Sequence, residues 1–167
     1  MEPLEPPDSH FVSAALGWLG LSNWQEAAAE LKNVRPDLAS QPEVLAVRYE
    51  MLAKAGQWAL AADAASTWTN EAPEELGAWI AQAYAVRRKP GGGIALAKGI
   101  LTAAQQRFPR EPIIAYNLAC YECQLGNLPQ ARDWLRQAFK WGNARHLKQM
   151  GAQDSDLEPL HSEIAHL

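Results

Sequence analysis

The sequence predicts an all-α fold built from repeated helix–turn–helix units, an expectation that rests on composition and on an internal period. Ala, Leu, Gln and Glu dominate the 167 residues while strand-favouring residues are sparse, a balance that favours helix over sheet. Four segments share one form, a turn, then an aromatic or aliphatic residue, two variable residues and alanine. They are Ser22–Ala27, Gly56–Ala61, Gly92–Ala97 and Gly126–Ala131. Starting at 22, 56, 92 and 126, they are spaced by 34, 36 and 34 residues, room for two helices and a turn in each repeat. An apolar content of 48% supports a continuous core in one domain.

Further positions keep the same register. The first unit has Ala15 and Ala27 with Leu31 after them, and the second has Ala61 and a closing Pro73. The third has Trp79, Ala83, Ala97, Ala104 and a closing Pro109, and the fourth has Leu118-Ala119, Ala131, Leu135 and Ala138. Small residues suit points where two helices approach closely, because a long side chain would hold them apart. Helices are expected near 10–21, 24–35, 42–55, 58–70, 74–88, 93–107, 112–125 and 128–141. The longer spacing is an insertion of two residues within Arg87–Gly91, a turn where extra length costs little. Ser22-Asn23-Trp24-Gln25, Ser40-Gln41-Pro42-Glu43 and Ser155-Asp156-Leu157-Glu158 read as capping boxes, and Pro112 as a helix opener. Residues 1–8 read as a disordered leader. Ala144 to Met150 reads as a ninth short helix that Gly151 can end, followed by Leu157, Leu160 and Ile164 on one face.

These in-phase positions, over about residues 9–143, resemble the tetratricopeptide repeat family. The resemblance implies a right-handed superhelical stack of about four helix pairs, with residues 144–167 as a C-terminal capping segment over the last repeat's apolar face. That segment is similar to the short Asp-Leu-x-x-Leu endings that follow tetratricopeptide groups in bacterial proteins. Two departures stand out. Tyr49 and Trp68 occupy positions where the family has small residues, so the second pair either splays or lets both rings fill one gap. The first unit lacks the closing proline at the usual place and has Pro36 earlier.

The family's groove positions carry over to Val12, Leu16 and Leu19, then Glu43, Ala46, Glu50 and Lys54. They continue with Ile80, Tyr84, Arg87 and Arg88, then Ile113, Tyr116, Cys120, Cys123 and Gln124. From these, the expected partner-binding groove is Glu50, Lys54, Ile80, Tyr84, Arg87, Arg88, Tyr116 and Gln124. Tyr84 and Tyr116 beside the arginines suit an extended peptide, with Arg placed for a carboxylate. Alternatively, Arg87 and Arg88 are ordinary solvated charges at a helix end, where they favour the dipole. The chaperone-type carboxylate clamp is not expected, because Val12 and Leu16 stand at its positions. The resemblance thus implies a non-catalytic scaffold for a protein or peptide partner. A self-associating module and a small secretion-type chaperone are the alternatives, and homo-oligomerisation is compatible with either.

Other classes are disfavoured. The net charge is −4 and the pI about 5.6, against a nucleic-acid or anionic-membrane partner. No apolar run approaches the length of a membrane span, and the opening segment lacks signal-peptide regions, so a cytoplasmic location is expected. His10, His146, His161 and His166 form no metal or acid–base motif, and Gly91-Gly92-Gly93 lacks the Lys-Ser/Thr ending of a phosphate loop. No enzyme activity, metal or cofactor is expected. Cys120 and Cys123 form a C-x-x-C pair, but within a helical pattern and without further ligands they read as small reduced side chains. Most of the seven tryptophans map to packing positions, Trp141 being the exception, placed either under the cap or on an exposed patch.

Overall fold

The computed structural model describes residues 3–167; Met1 and Glu2, part of the expected leader, lie outside the described residues. The chain is all α. Helix α1 spans Asp8–Gly20, α2 Trp24–Leu31, α3 Pro42–Lys54, α4 Trp58–Glu71 and α5 Leu76–Arg88. After them come α6 Ile94–Arg107, α7 Pro112–Gln124, α8 Leu128–Trp141, α9 Ala144–Gly151 and α10 His161–Ile164. Single 3₁₀ segments cover Pro36–Leu38 and Ser155–Leu160. Nine of these helices, α1–α9, coincide with the expected ones to within a few residues, α2 ending four residues early. Its last turn gives way to the Pro36 segment, since proline disfavours helix in the residue before it.

Two compact units result, one up to Gly92 and one from Gly93 onward. The first contains α1–α5, with α1 against α2 and α4 against both α3 and α5; the second contains α6–α10, with α7 packed on α6 and α8. The third expected pair, α5 and α6, therefore contributes one helix to each unit. Alanines mark the contacts. Ala15, Ala27, Ala61, Ala97, Ala104, Ala119, Ala131 and Ala138 are all wholly buried, as the small-residue register requires.

The turns inside three of the pairs are replicas. Asn23, Gln57 and Asn127 each donate a backbone N–H to the carbonyl five residues earlier, of Trp18, Leu52 and Glu122 respectively. This closure puts the preceding residue in the left-handed region: Gly56 at φ 70°, Gly126 at φ 80° and Ser22 at φ 59°. Serine meets a steric penalty there that glycine does not. Ser22→Gly is expected to stabilise the first unit by about 0.5–1 kcal/mol, measured as a rise in urea midpoint; a fall would refute the turn assignment.

Helix starts follow the expected places but not always the expected residue. Asn23, not Ser22, caps α2 by accepting from the Glu26 N–H at 3.2 Å. Asp154, not Ser155, caps the 3₁₀ segment through the Asp156 N–H at 3.0 Å. Helix α3 starts at Pro42 after Gln41 with no side-chain cap, so the Ser40 box is not formed. Pro112 does open α7. Asp8, placed at the end of the leader, is the first residue of α1 and is 1% exposed. Its carboxylate accepts from the Arg35 backbone N–H at 2.8 Å and from Arg35 Nε at 2.9 Å, tying the start of α1 to the segment after α2. Those bonds, the backbone one foremost, hold the Asp8 carboxyl below its ordinary value in spite of burial. A depressed folded-state pKa contributes stability above the ordinary value of 3.8 that is lost as pH falls through the folded value. The thermal midpoint is thus expected to fall more steeply as the pH drops below about 4 in the native chain than in Asp8→Asn. Parallel pH profiles would count against this bond.

Candidate functional site

The first helices of the four repeats, α1, α3, α5 and α7, each span 13 residues. Counting from each start, the fifth and ninth residues are Val12 and Leu16, Ala46 and Glu50, Ile80 and Tyr84, and Tyr116 and Cys120. A spacing of four places both on one helix face.

In the first unit that face is open. Helices α1, α3 and α5 border a cleft of about 820 Å³. Ser9, Val12, Ser13 and Leu16 line it from α1, and Glu43, Ala46, Val47, Tyr49 and Glu50 from α3; α5 supplies Leu76, Gly77, Ile80, Ala81 and Tyr84. The i, i+3, i+4, i+7 spacing puts each helix's contribution on one face, with Val12, Val47 and Ala81 buried at the floor of the cleft and Leu16 and Tyr84 at its open side. Leu16 is 48% exposed and Tyr84 42%. Helix α4 adds Trp68, whose indole passes against Gly77, where a Cβ would stand 3.3 Å from the ring. Trp68 Nε1 donates to Glu75 Oε2 at 2.8 Å, fixing the ring. Tyr49 and Trp68, the two large residues at small positions, thus line the same cleft. The charged lining side chains are glutamates, Glu43 and Glu50, with neither Lys nor Arg among them.

The expected groove residues divide. Glu50, Ile80 and Tyr84 line the cleft. Lys54 is exposed, 4.0 Å from Glu50 Oε1. Arg88 does not reach outward as a fork: its guanidinium carbon sits 3.4 Å from the Tyr84 ring centroid and 5.4 Å from that of Trp58. It also donates to the Tyr84 carbonyl at 3.2 Å. The Trp58 and Tyr84 rings are 5.8 Å apart and tilted by 59°, so Arg88 serves as a cation–π clamp on Tyr84. Arg87 is half-buried.

Tyr116 and Gln124 belong to the second unit, where the chain's own C-terminal segment covers the corresponding face. Tyr116 is 3% exposed and its hydroxyl donates to Asp154 Oδ2 at 2.9 Å; Cys120 Sγ is 3.6 Å from the same oxygen. Gln124 Nε2 donates to the Asp156 carbonyl at 3.0 Å. Burial, above all, and the Asp154 bond hold the Tyr116 phenol well above its ordinary value. Arg132 grips Glu163 with two bonds of 2.6 and 2.8 Å, and Leu157, Leu160 and Ile164 are buried beneath the segment. Trp141 is half-buried. Cys120 and Cys123 are buried thiols that form no disulfide, and burial raises Cys123. Cys120, Asp154 and Asp156 bring ligand-type atoms within 4.8 Å of one another, but the Asp154 carboxylate is already engaged in capping and in the Tyr116 bond.

Val12, Leu16, Glu43 and Ala46 of the lining stand at groove positions the register supplies. Trp68 and Gly77 do not. Their signal was the indole at a small-residue position, whose direction only the packing decides.

No family model matches the chain, and no curated protein matches it. Similar solved structures exist. The crystal structure of TTC0263, a thermophilic TPR protein in Thermus thermophilus, covers 96% of this chain and 100% of its own, with TM-score 0.66 and 16% identity. MamA (AMB-1) covers 95% and 93%, with TM-score 0.63 and 14% identity. No described helix is long and apolar enough to cross a membrane. The chain therefore has a tetratricopeptide-like helical-repeat fold.

Proposed function

We propose that the chain is an interaction scaffold that binds a protein or peptide partner in the cleft of the first unit. The supporting observation is the open apolar face shared by α1, α3 and α5, of a size typical of ligand sites. An exposed apolar surface of this kind costs solubility unless something covers it. Trp68 held by Glu75 and Tyr84 held by Arg88 supply rigid aromatic walls, the side chains that dominate binding energy at interfaces. Within this reading Ile80, Tyr84 and Glu50 contact the partner, while Arg88 positions Tyr84 and Lys54 tempers Glu50.

The cleft can be filled from inside. Ala46→Trp places an indole in it without cutting any hydrogen bond. Immobilised native protein is expected to retain a polypeptide from lysate that the variant releases, at least tenfold less being recovered, with far-ultraviolet circular dichroism unchanged. Equal recovery by both would place the binding surface elsewhere.

A further inference from the structure

We propose that the occupant of this cleft is an amphipathic helical segment with basic flanks, an inference that rests on the cleft being the partner site. The first observation concerns the matching face in the second unit. The fifth, ninth and thirteenth residues of α7, Tyr116, Cys120 and Gln124, are bonded to Asp154 and Asp156. The segment that covers them is itself turned into 3₁₀ and α structure over Ser155–Leu160 and His161–Ile164. It buries Leu157, Leu160 and Ile164, spaced by three and four residues. The chain thus carries its own example of what covers this face: a short helical stretch with an apolar stripe. The same positions on α3 and α5, Ala46 and Glu50, Ile80 and Tyr84, have no such cover within the first unit.

The second observation is the polarity of the lining. Most of it comes from helix interiors, whose backbone groups are already bonded to one another. An extended peptide pressed into such a cleft would leave its own N–H and C=O groups without partners, at about 1–3 kcal/mol for each. A helix carries its bonds within itself, and binding by an apolar helix face is an established mode. The free N–H groups at the starts of α3 and α5 could serve only one end of a ligand.

Charge then sets the sign. Glu43 and Glu50 are the charged lining residues, Glu75 adjoins them through Trp68, and Arg88, against the same wall, is stacked on the Tyr84 ring and bonded to the Tyr84 carbonyl. Glu43 has no ion-pair partner among the described residues, and Lys54 meets Glu50 only at 4.0 Å. The helix-start dipoles amount to about half a charge each, less than the carboxylates. A basic partner is attracted. The C-terminal segment of a second copy, which carries Asp154, Asp156, Glu158 and Glu163, is repelled.

Three fluorescein-labelled synthetic peptides of 16 residues with one common leucine stripe test this by anisotropy on the full chain. One has lysines on the polar face, one has glutamates, and one repeats the lysine version with two central prolines. The lysine helix is expected to bind at least tenfold more tightly than either of the others. Glu43→Lys with Glu50→Lys should reverse the lysine–glutamate preference, Ala46→Trp should weaken binding tenfold, and Glu158→Lys should change little. Equal affinity for the proline peptide overturns the helical occupant, and an unreversed charge preference overturns the basic one; either leaves the cleft as a partner site. Binding of the lysine helix unaffected by Ala46→Trp overturns the inference and the cleft assignment together. Concentration-dependent light scattering abolished by Ala46→Trp would identify a second copy as the occupant, against the proposal.

Discussion

Leu157→Ala is expected to destabilise the second unit by about 3 kcal/mol, within the usual range for deleting a buried leucine side chain. Leu157 is wholly buried, and it packs so near Gly151 that a Cβ added there would stand 3.4 Å from its Cδ1. The leucine holds down a segment whose polar bonds are specific but individually modest: Tyr116 to Asp154, Gln124 to the Asp156 carbonyl, and the two bonds from Arg132 to Glu163. Most net hydrogen bonds contribute only about 1 kcal/mol, so burial is the larger part of what retains the segment. If the segment lifted away, Tyr116 would lose its acceptor and Leu157, Leu160 and Ile164 their cover. The shift is to be read from urea unfolding followed by far-ultraviolet circular dichroism. A change below about 1 kcal/mol would mean that residues 154–164 leave the α7 face readily. Such a result would describe a detachable tail, and α7 would join the exposed faces.

The repeat was legible because its cause is local and periodic. Alanine recurs wherever two helices cross, and a single residue type at a fixed interval reports close approach without any knowledge of the partner helix. Helix ends were legible for the same reason, down to Pro112 opening α7. Caps shifted by one residue at Asn23 and Asp154, since two adjacent polar residues satisfy one pattern and only backbone torsion selects between them. The face of α7 was harder. Register alone puts Tyr116 and Gln124 beside Ile80 and Tyr84, whereas a segment more than thirty residues away in sequence covers them. Its apolar stripe was visible, but the surface it lands on depends on tertiary packing. Arg88 shows a smaller limit of the same sort. Its stacking partner Tyr84 lies four residues earlier on the same helix face, a spacing that favours local pairing over an outward carboxylate fork.

Gly92→Ala is expected to cost about 2–4 kcal/mol, more than the same change at Gly56 or Gly126. The reason is the two-residue insertion. In the replicated turns, glycine is wanted for its positive φ, and a Cβ at Gly56 or Gly126 would meet nothing within 4 Å. Alanine there incurs only the left-handed penalty of about 1–2 kcal/mol. Extra length in the α5–α6 turn forces a different path: Lys89 leaves the helix extended, and the Gly92 N–H returns to the Lys89 carbonyl at 2.9 Å. That return folds the chain back over the end of α5, so a Cβ on Gly92 would lie 1.9 Å from the Val86 carbonyl oxygen and 3.0 Å from that of Lys89. Both obstacles are backbone atoms, which cannot swing aside as a flexible side chain would. Relief requires displacing Lys89–Gly92 and with it the last turn of α5, which carries Arg88 and, four residues before it, Tyr84. Destabilisation by Gly92→Ala should therefore be accompanied by weaker partner binding at the cleft, whereas Gly126→Ala, in the other unit, should lower stability and leave binding unchanged. Equal stability losses at the three glycines would show that the inserted turn relaxes freely, and that the tight return over Val86 does not hold Tyr84 in place.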